Sequence, residues 1–186
     1  MSDQAGYGFK VVIIGDGAVG KTSLIKKYTQ GSFQKEYIAT LGTQFSKYEE
    51  EVDGEKVELY LWDIAGQDSF QALRQRFYTG SSGAVIVFSH DPEQTKSYNN
   101  VGKWLADLKQ HCGNIPIVLL GNKVDLIENG SNSDLATSDS KVEQLAKDNK
   151  FLGYYKTSAL TGDGVTDGFK ALVSRLYMIA KISNFS

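Results

Sequence analysis

Cysteine, proline and histidine are scarce in these 186 residues: one Cys, two Pro and two His. The single thiol, Cys112, forbids an internal disulfide and a cysteine-rich zinc site, and it is expected to be structural or incidental. So few prolines exclude a proline-rich linker or a long disordered tract. His90 and His111 stand far apart in sequence and are expected in the core or on the surface, not as metal ligands. No apolar run approaches the roughly 18 residues that a membrane helix needs. Charge of one sign is missing too. Lys and Arg number 20 against 22 Asp and Glu, a net charge of -2, so neither nucleic acid nor an anionic lipid surface is an expected partner. The stretch 1–9 has neither the basic nor the apolar region of a secretory signal. Position 2 is Ser where myristoylation needs Gly, and 182–186 hold no Cys to prenylate. The expectation is a cytoplasmic, monomeric chain with no direct membrane anchor.

What is present is alternation over the length of about one domain, 1–186 with a core near 8–180. Lys10–Ile14 is a continuous apolar run ending at Gly15, as in a strand buried on both faces. Residues 21–30 read as a helix, with Leu24, Ile25 and Tyr28 on one side. Phe45–Val52 and Val57–Asp63 are strand-like and join at Asp53-Gly54, a hairpin dipeptide. Ala84–Ser89 and Ile115–Gly121 are further buried-strand runs, with helical spacing over 94–111 between them. Glu128–Asp139 is polar and reads as a surface loop before a helix at about 139–150. Tyr154–Ser158 reads as a last strand, and Val165, Phe169, Leu172, Val173, Leu176 and Ala180 make the clearest helical stripe. Strands alternating with helices predict an α/β fold, a parallel sheet covered on both faces with one antiparallel strand at an edge. Ligands in such sheets sit beyond the carboxyl ends of the strands.

The chemistry-bearing motifs fall there. Gly15-Asp16-Gly17-Ala18-Val19-Gly20-Lys21-Thr22 follows the first strand and fits G-x-x-x-x-G-K-[ST]. Its glycines let the backbone N–H groups of Asp16 to Gly20 wrap a phosphate chain, and the next helix adds its positive N-terminal end. Lys21 is placed to reach the β- and γ-phosphates and the Thr22 hydroxyl to ligate Mg²⁺. Trp62-Asp63-Ile64-Ala65-Gly66-Gln67 closes the third strand. Asp63 is placed to hold Mg²⁺ through a water, the Gly66 amide to meet a γ-phosphate and Gln67 to orient the attacking water. Asn122-Lys123-Val124-Asp125 follows the fifth strand. The Asp125 carboxylate can accept from guanine N1–H and the exocyclic amine, which adenine does not offer; Asn122 would hold neighbouring loops, and the Lys123 stem would lie along the base. Thr157-Ser158-Ala159 can supply a backbone N–H to the guanine O6.

With these elements in order, the chain resembles the Ras superfamily of small GTPases, and within it the Rab family, over about residues 8–180. The resemblance implies a P-loop fold of six strands, one of them antiparallel, and five helices on both faces. It implies a first switch at 37–42, with Thr40 joining the Mg²⁺ shell and the catalytic set of Gln67, Lys21 and Gly66, and a second switch at 63–79. Phe33 would lie against the guanine, and Ser23, Tyr37 and Leu160 would line the nucleotide. Phe45, Trp62 and Phe77 match an aromatic triad presented to partners, with Ile38 and Leu41 beside it. Ile64 and Asp68-Ser69 depart from the usual Rab residues. The implied cofactor is Mg²⁺ and the implied ligands are GTP and GDP. Effectors, an exchange factor and a GTPase-activating protein are the implied partners, and trafficking or signalling the setting. No arginine occurs in 33–43, so turnover is expected to be slow, on the order of 10⁻⁴ to 10⁻³ s⁻¹, until a partner supplies one in trans. The competing readings are a GTP-bound adaptor that does not hydrolyse and an ATP-dependent P-loop kinase; Asn122–Asp125 opposes the second.

Overall fold

A computed structural model describes residues 6–30, 34–38, 43–66, 71–127 and 138–184, with only the backbone for 34–38 and 71–73. Its strands are β1 (Tyr7–Ile14), β2 (Gln34–Ile38), β3 (Thr43–Val52), β4 (Glu55–Ile64), β5 (Gly83–Ser89), β6 (Ile117–Asn122) and β7 (Tyr154–Lys156). Its helices are α1 (Lys21–Tyr28), α2 (Gln71–Tyr78), α3 (Lys96–Asn99), α4 (Val101–Cys112), α5 (Asp139–Asp148) and α6 (Val165–Asn184). The strands form one sheet in the order β2-β3-β4-β1-β5-β6-β7. β4, β1, β5, β6 and β7 run parallel, and β2/β3 and β3/β4 are antiparallel.

The α/β class stands, but the sheet has seven strands where six were expected. The addition is β2, paired with β3 from Gln34↔Lys47 to Ile38↔Thr43. Gln-Lys-Glu-Tyr-Ile offers no apolar face of its own, so only backbone pairing along the free edge of β3 makes it a strand. It also moves the sheet edge from the hairpin strand β3 to β2. Five helical segments remain if α3 and α4 are taken together, since only Asn100 separates them, at φ -85° and ψ -5°. The expected loop at Glu128–Asp139 lies largely outside the described residues.

Period-two alternation divides the core. Val11 and Ile13 of β1, Val85 and Val87 of β5, and Val118 and Leu120 of β6 pack with α1 and α6. Val12, Ile14, Ala84, Ile86, Phe88, Ile117 and Leu119 from the same strands pack with α2, α4 and α5 on the other face. Helices on both faces are why these strands read as unbroken apolar runs. The β3–β4 hairpin turns at Asp53 and Gly54, with φ of 50° and 78°, the positive pair of a type I′ turn. Among the described residues no helix is long and apolar enough to cross a membrane.

His90, just beyond β5, ties two strands together. Its backbone N–H donates to Asn122 O at 2.8 Å, and its Nε2 lies 2.8 Å from the Tyr154 hydroxyl. Burial pushes this imidazole down to about 4. The folded chain thus keeps His90 neutral where an unfolded chain protonates it, so this contribution is whole above the unfolded value near 6.5 and is lost as pH falls toward 4. Against His90→Gln, the stability advantage of the natural chain is expected to shrink by about 3 kcal/mol between pH 7 and pH 4 in paired urea titrations. The half-buried Glu50 and buried Asp63 carboxyls, raised by desolvation, shift stability in the opposite direction, but they are common to both proteins and cancel. A pH-independent difference would show that the folded chain protonates His90 freely.

Candidate functional site

Four loops meet beyond the carboxyl ends of β1, β4, β6 and β7. The first, 15–20, joins β1 to α1. Gly20 precedes α1 at φ 100°, and a Cβ on it would come 2.3 Å from Asn122 Nδ2, so both conformation and space require glycine. Gly15, at φ 143°, would drive a Cβ to 2.1 Å from Val87 O. Among the described residues nothing lies within 4 Å of a Cβ on Gly17. Val19 is fully buried in the α1/α6 core and pins the turn from below. The first turn of α1 holds no acidic residue to compete for its amides.

Lys21 is only 7 % exposed. Its ammonium donates to Gly15 O at 2.9 Å and Asp16 O at 2.7 Å, folding the side chain back across the loop. Desolvation lowers its pKa, against the attraction of Asp63 and Asp16. A buried, under-compensated cation inside a cradle of amides suits a polyanion.

Thr22, in the first turn of α1, donates its hydroxyl to Asp63 Oδ2 at the end of β4. Asp63 is 8 % exposed, and burial raises its carboxyl although Thr22 and Lys21 oppose the rise. A hydroxyl and a buried carboxylate touching beside a phosphate cradle are hard oxygen donors that fit Mg²⁺, which takes one or two protein oxygens and fills its shell with water and phosphate. Three residues on, Gly66 lies against the phosphate loop. A Cβ there would sit 2.4 Å from Asp16 C and from Gly17 N.

The base-reading loops are cross-braced. Asn122 Nδ2 donates to Val19 O at 2.8 Å, while Asn122 Oδ1 accepts from Ala159 N at 3.1 Å and from the Thr157 hydroxyl at 3.3 Å. One buried amide thereby fixes the phosphate loop to the loop after β7. Ser158 donates its hydroxyl to Asp125 Oδ1 at 2.5 Å, and Thr157 N–H donates to Gly121 O at 2.8 Å. Lys123, at φ 65°, pairs with Asp91 at 3.0 Å. Asp125 stands exposed, and Leu160 is 77 % exposed at the rim.

Of the sequence-predicted residues, the structure brings together 16–22, Asp63, Gly66, Asn122, Lys123, Asp125, Ser158, Ala159 and Leu160. Ser23 follows them in α1, exposed. Phe33, Thr40, Leu41 and Gln67 lie outside the described residues. Tyr37 and Ile38 lie on β2. In the aromatic triad, Trp62 is 5.3 Å from Phe45 and 5.7 Å from Phe77 between ring centroids. Phe77 is only 7 % exposed and belongs to the core, so Phe45 and Trp62 carry what aromatic surface there is. Four site residues escaped sequence reading: Asp91, which holds Lys123, and Asn100, Trp104 and Arg74. Trp104 was visible only as part of a helical stripe, because an indole N–H has no periodic signature.

A parallel sheet with Gly15–Thr22 between its first strand and first helix, and a carboxylate closing β4 beside it, defines the P-loop nucleoside-triphosphatase class. A model of the Ras family matches residues 10–178. The chain is 35 % identical to GTP-binding protein ypt3 of Schizosaccharomyces pombe over 185 residues, 99 % of this chain and 82 % of that protein. It is 36 % identical to Ras-related protein RABA4c of Arabidopsis thaliana over 179 residues, 96 % of this chain and 77 % of that one. With Ras-related protein YPTC6 of Chlamydomonas reinhardtii it shares 34 % over 178 residues, 95 % and 79 % of the two chains. The chain belongs to the Ras family of small GTPases, with Rab-type relatives, and it is a GTPase.

Proposed function

We propose that this chain is a guanine-nucleotide switch of Rab type: a single domain that binds GTP or GDP with Mg²⁺, hydrolyses GTP slowly, and offers partners a different surface in each state. The observation that carries the reading is the double role of Asn122, bonded to Val19 O in the phosphate loop and to Ala159 N in the base loop. It fixes the distance between a phosphate cradle and a carboxylate, which selects a guanine nucleotide as one rigid object. The 15–20 amides and Lys21 hold the phosphates. Thr22 and, through a water, Asp63 would hold Mg²⁺, which when bound neutralises charge on the β- and γ-phosphates, with Thr40 completing the shell in the GTP state. Asp125, Lys123, Ala159 and Leu160 surround the base, with Phe33 on its other side.

For the chemical step, Gln67 orients a water in line with the γ-phosphate, and Lys21 with the Gly66 and loop amides stabilises charge on the transferring group. Gly66 lies on the phosphate loop, where its N–H can sense whether a third phosphate is present. Release of that group frees both switches, and effectors, an exchange factor and an activating protein read the difference. Trafficking between membranes fits the Rab-type relatives, with the chain acting as a cytoplasmic monomer.

Gln67→Leu is expected to slow single-turnover phosphate release at least tenfold while leaving GTP and GDP affinities within about twofold. Equal loss of both would make Gln67 a structural residue. Nucleotide recovered as unchanged GTP after prolonged incubation of the natural chain would instead favour the adaptor.

A further inference from the structure

The residue after the first glycine of the phosphate loop, Asp16, turns its side chain toward the N-terminal part of α4. Both Asp16 carboxylate oxygens are taken by neutral donors from the helices behind the loop: Asn100 Nδ2 donates to Oδ2 at 2.6 Å and Trp104 Nε1 to Oδ1 at 2.7 Å. Such bonds to an ionised acceptor are short and strong. They also keep a negative charge out of a cradle meant for polyphosphate. The backbone oxygen of the same residue accepts from Lys21. Asp16 is therefore tied to α1 through its main chain and to α4 through its side chain.

The indole that holds Asp16 is itself held from another element. Trp104 is 3 % exposed and Arg74 of α2 is 2 % exposed, with the guanidinium carbon 4.5 Å from the ring centroid. A cation at that distance over an indole face, away from water, is a strong contact. Asp107, one turn on from Trp104, lies 3.5 Å from Arg74 Nη1 and accepts from the Tyr78 hydroxyl at 3.0 Å. α2 is thus seated on α4 by Arg74 and Tyr78, both buried, meeting the partly buried Asp107, and the same arginine covers the ring that grips the phosphate loop. On the loop's other side Gly66, within the second switch at 63–79, lies against the Asp16–Gly17 peptide. The second switch reaches this one peptide by two routes.

We propose that Asp16 is a positioning residue for nucleotide retention: Asn100 and Trp104 fasten it to α4, and Arg74 on the same indole makes that hold depend on α2 being seated. The inference rests on the guanine-nucleotide reading and adds to it a seam between α2, α4 and the phosphate loop that sets how fast nucleotide leaves. A partner that unseats α2 would loosen the cradle without entering it.

The test is the dissociation rate of a fluorescent GDP analogue with Mg²⁺ present, chased with excess GDP. Asp16→Ala is expected to release it 10- to 100-fold faster and Trp104→Phe, which keeps the ring under Arg74 but loses its N–H, 3- to 10-fold faster. The double variant should release no faster than Asp16→Ala alone, because the indole N–H acts only through Asp16. Arg74→Met should speed release in the natural background and not in Asp16→Ala. A general loss of packing would multiply the factors instead. Multiplicative rates, or Trp104→Phe releasing at the natural rate, overturn the seam. Failure of the natural chain to bind the analogue at all overturns the guanine-nucleotide reading, and the seam with it.

Discussion

Asp125→Ala is expected to abolish the choice of guanine while leaving a folded protein that still grips phosphate. On the proposed reading the Asp125 carboxylate accepts from the guanine N1–H and 2-amine, beside the Lys123 stem. Removing it leaves two donors unpaired, and mismatches of this kind discriminate by about 10³ to 10⁴. The fold has little at stake: Asp125 is exposed on a short turn, where its carboxylate accepts from the Ser158 hydroxyl at 2.5 Å. Competition against labelled GTP checks this with three ligands. The natural chain should prefer GTP over ITP, which lacks the 2-amine, and exclude ATP; the variant should bind all three with affinities within about tenfold. A variant that still separates GTP from ITP would place base recognition elsewhere.

Lys21→Met is the second large effect, with the opposite signature: loss of affinity without loss of base choice. The ammonium is buried between two loop carbonyls, where desolvation lowers its pKa. Methionine keeps most of the chain's volume and removes that desolvation cost, so thermal stability without nucleotide should fall by no more than a few degrees. Two charge-assisted bonds to phosphate oxygens are lost, however, and affinity for GTP and GDP should fall together by about 10³-fold. Calorimetric titration with Mg²⁺ measures it. A drop below tenfold would make Lys21 a brace for the loop and not a phosphate ligand.

Much of the fold was legible because its strands are covered on both faces. Val11–Ile14, Ala84–Phe88 and Ile117–Leu120 have no polar side to hide, so each shows as an unbroken apolar run, and the first and last stop just before a motif. The Asp53-Gly54 turn was legible for a local reason, two consecutive positive φ angles. β2 was not, because Gln34–Ile38 owes its extended form to hydrogen bonds from β3 and nothing in its composition says so. The burial of Phe77 was equally hidden. An aromatic on an amphipathic helix can face a partner or its own core, and only α2 seated against α4 settled which.

For the site, what the chain alone marked as candidates were residues whose proposed roles depend on local backbone geometry or on spacing after a strand: the 15–22 loop, Asp63, Gly66 and Asn122–Asp125. Glycines and a following helix write themselves into sequence because conformational freedom and helix polarity are properties of neighbouring residues. Only the tertiary structure decided which atoms Asn122 joins, Val19 O and Ala159 N, that Asp91 pairs with Lys123, and that Asp16 turns its carboxylate toward Trp104 under Arg74. Those partners lie tens of residues apart, and a hydrogen bond between distant side chains depends on where the sheet and its helices bring them, which no local pattern records.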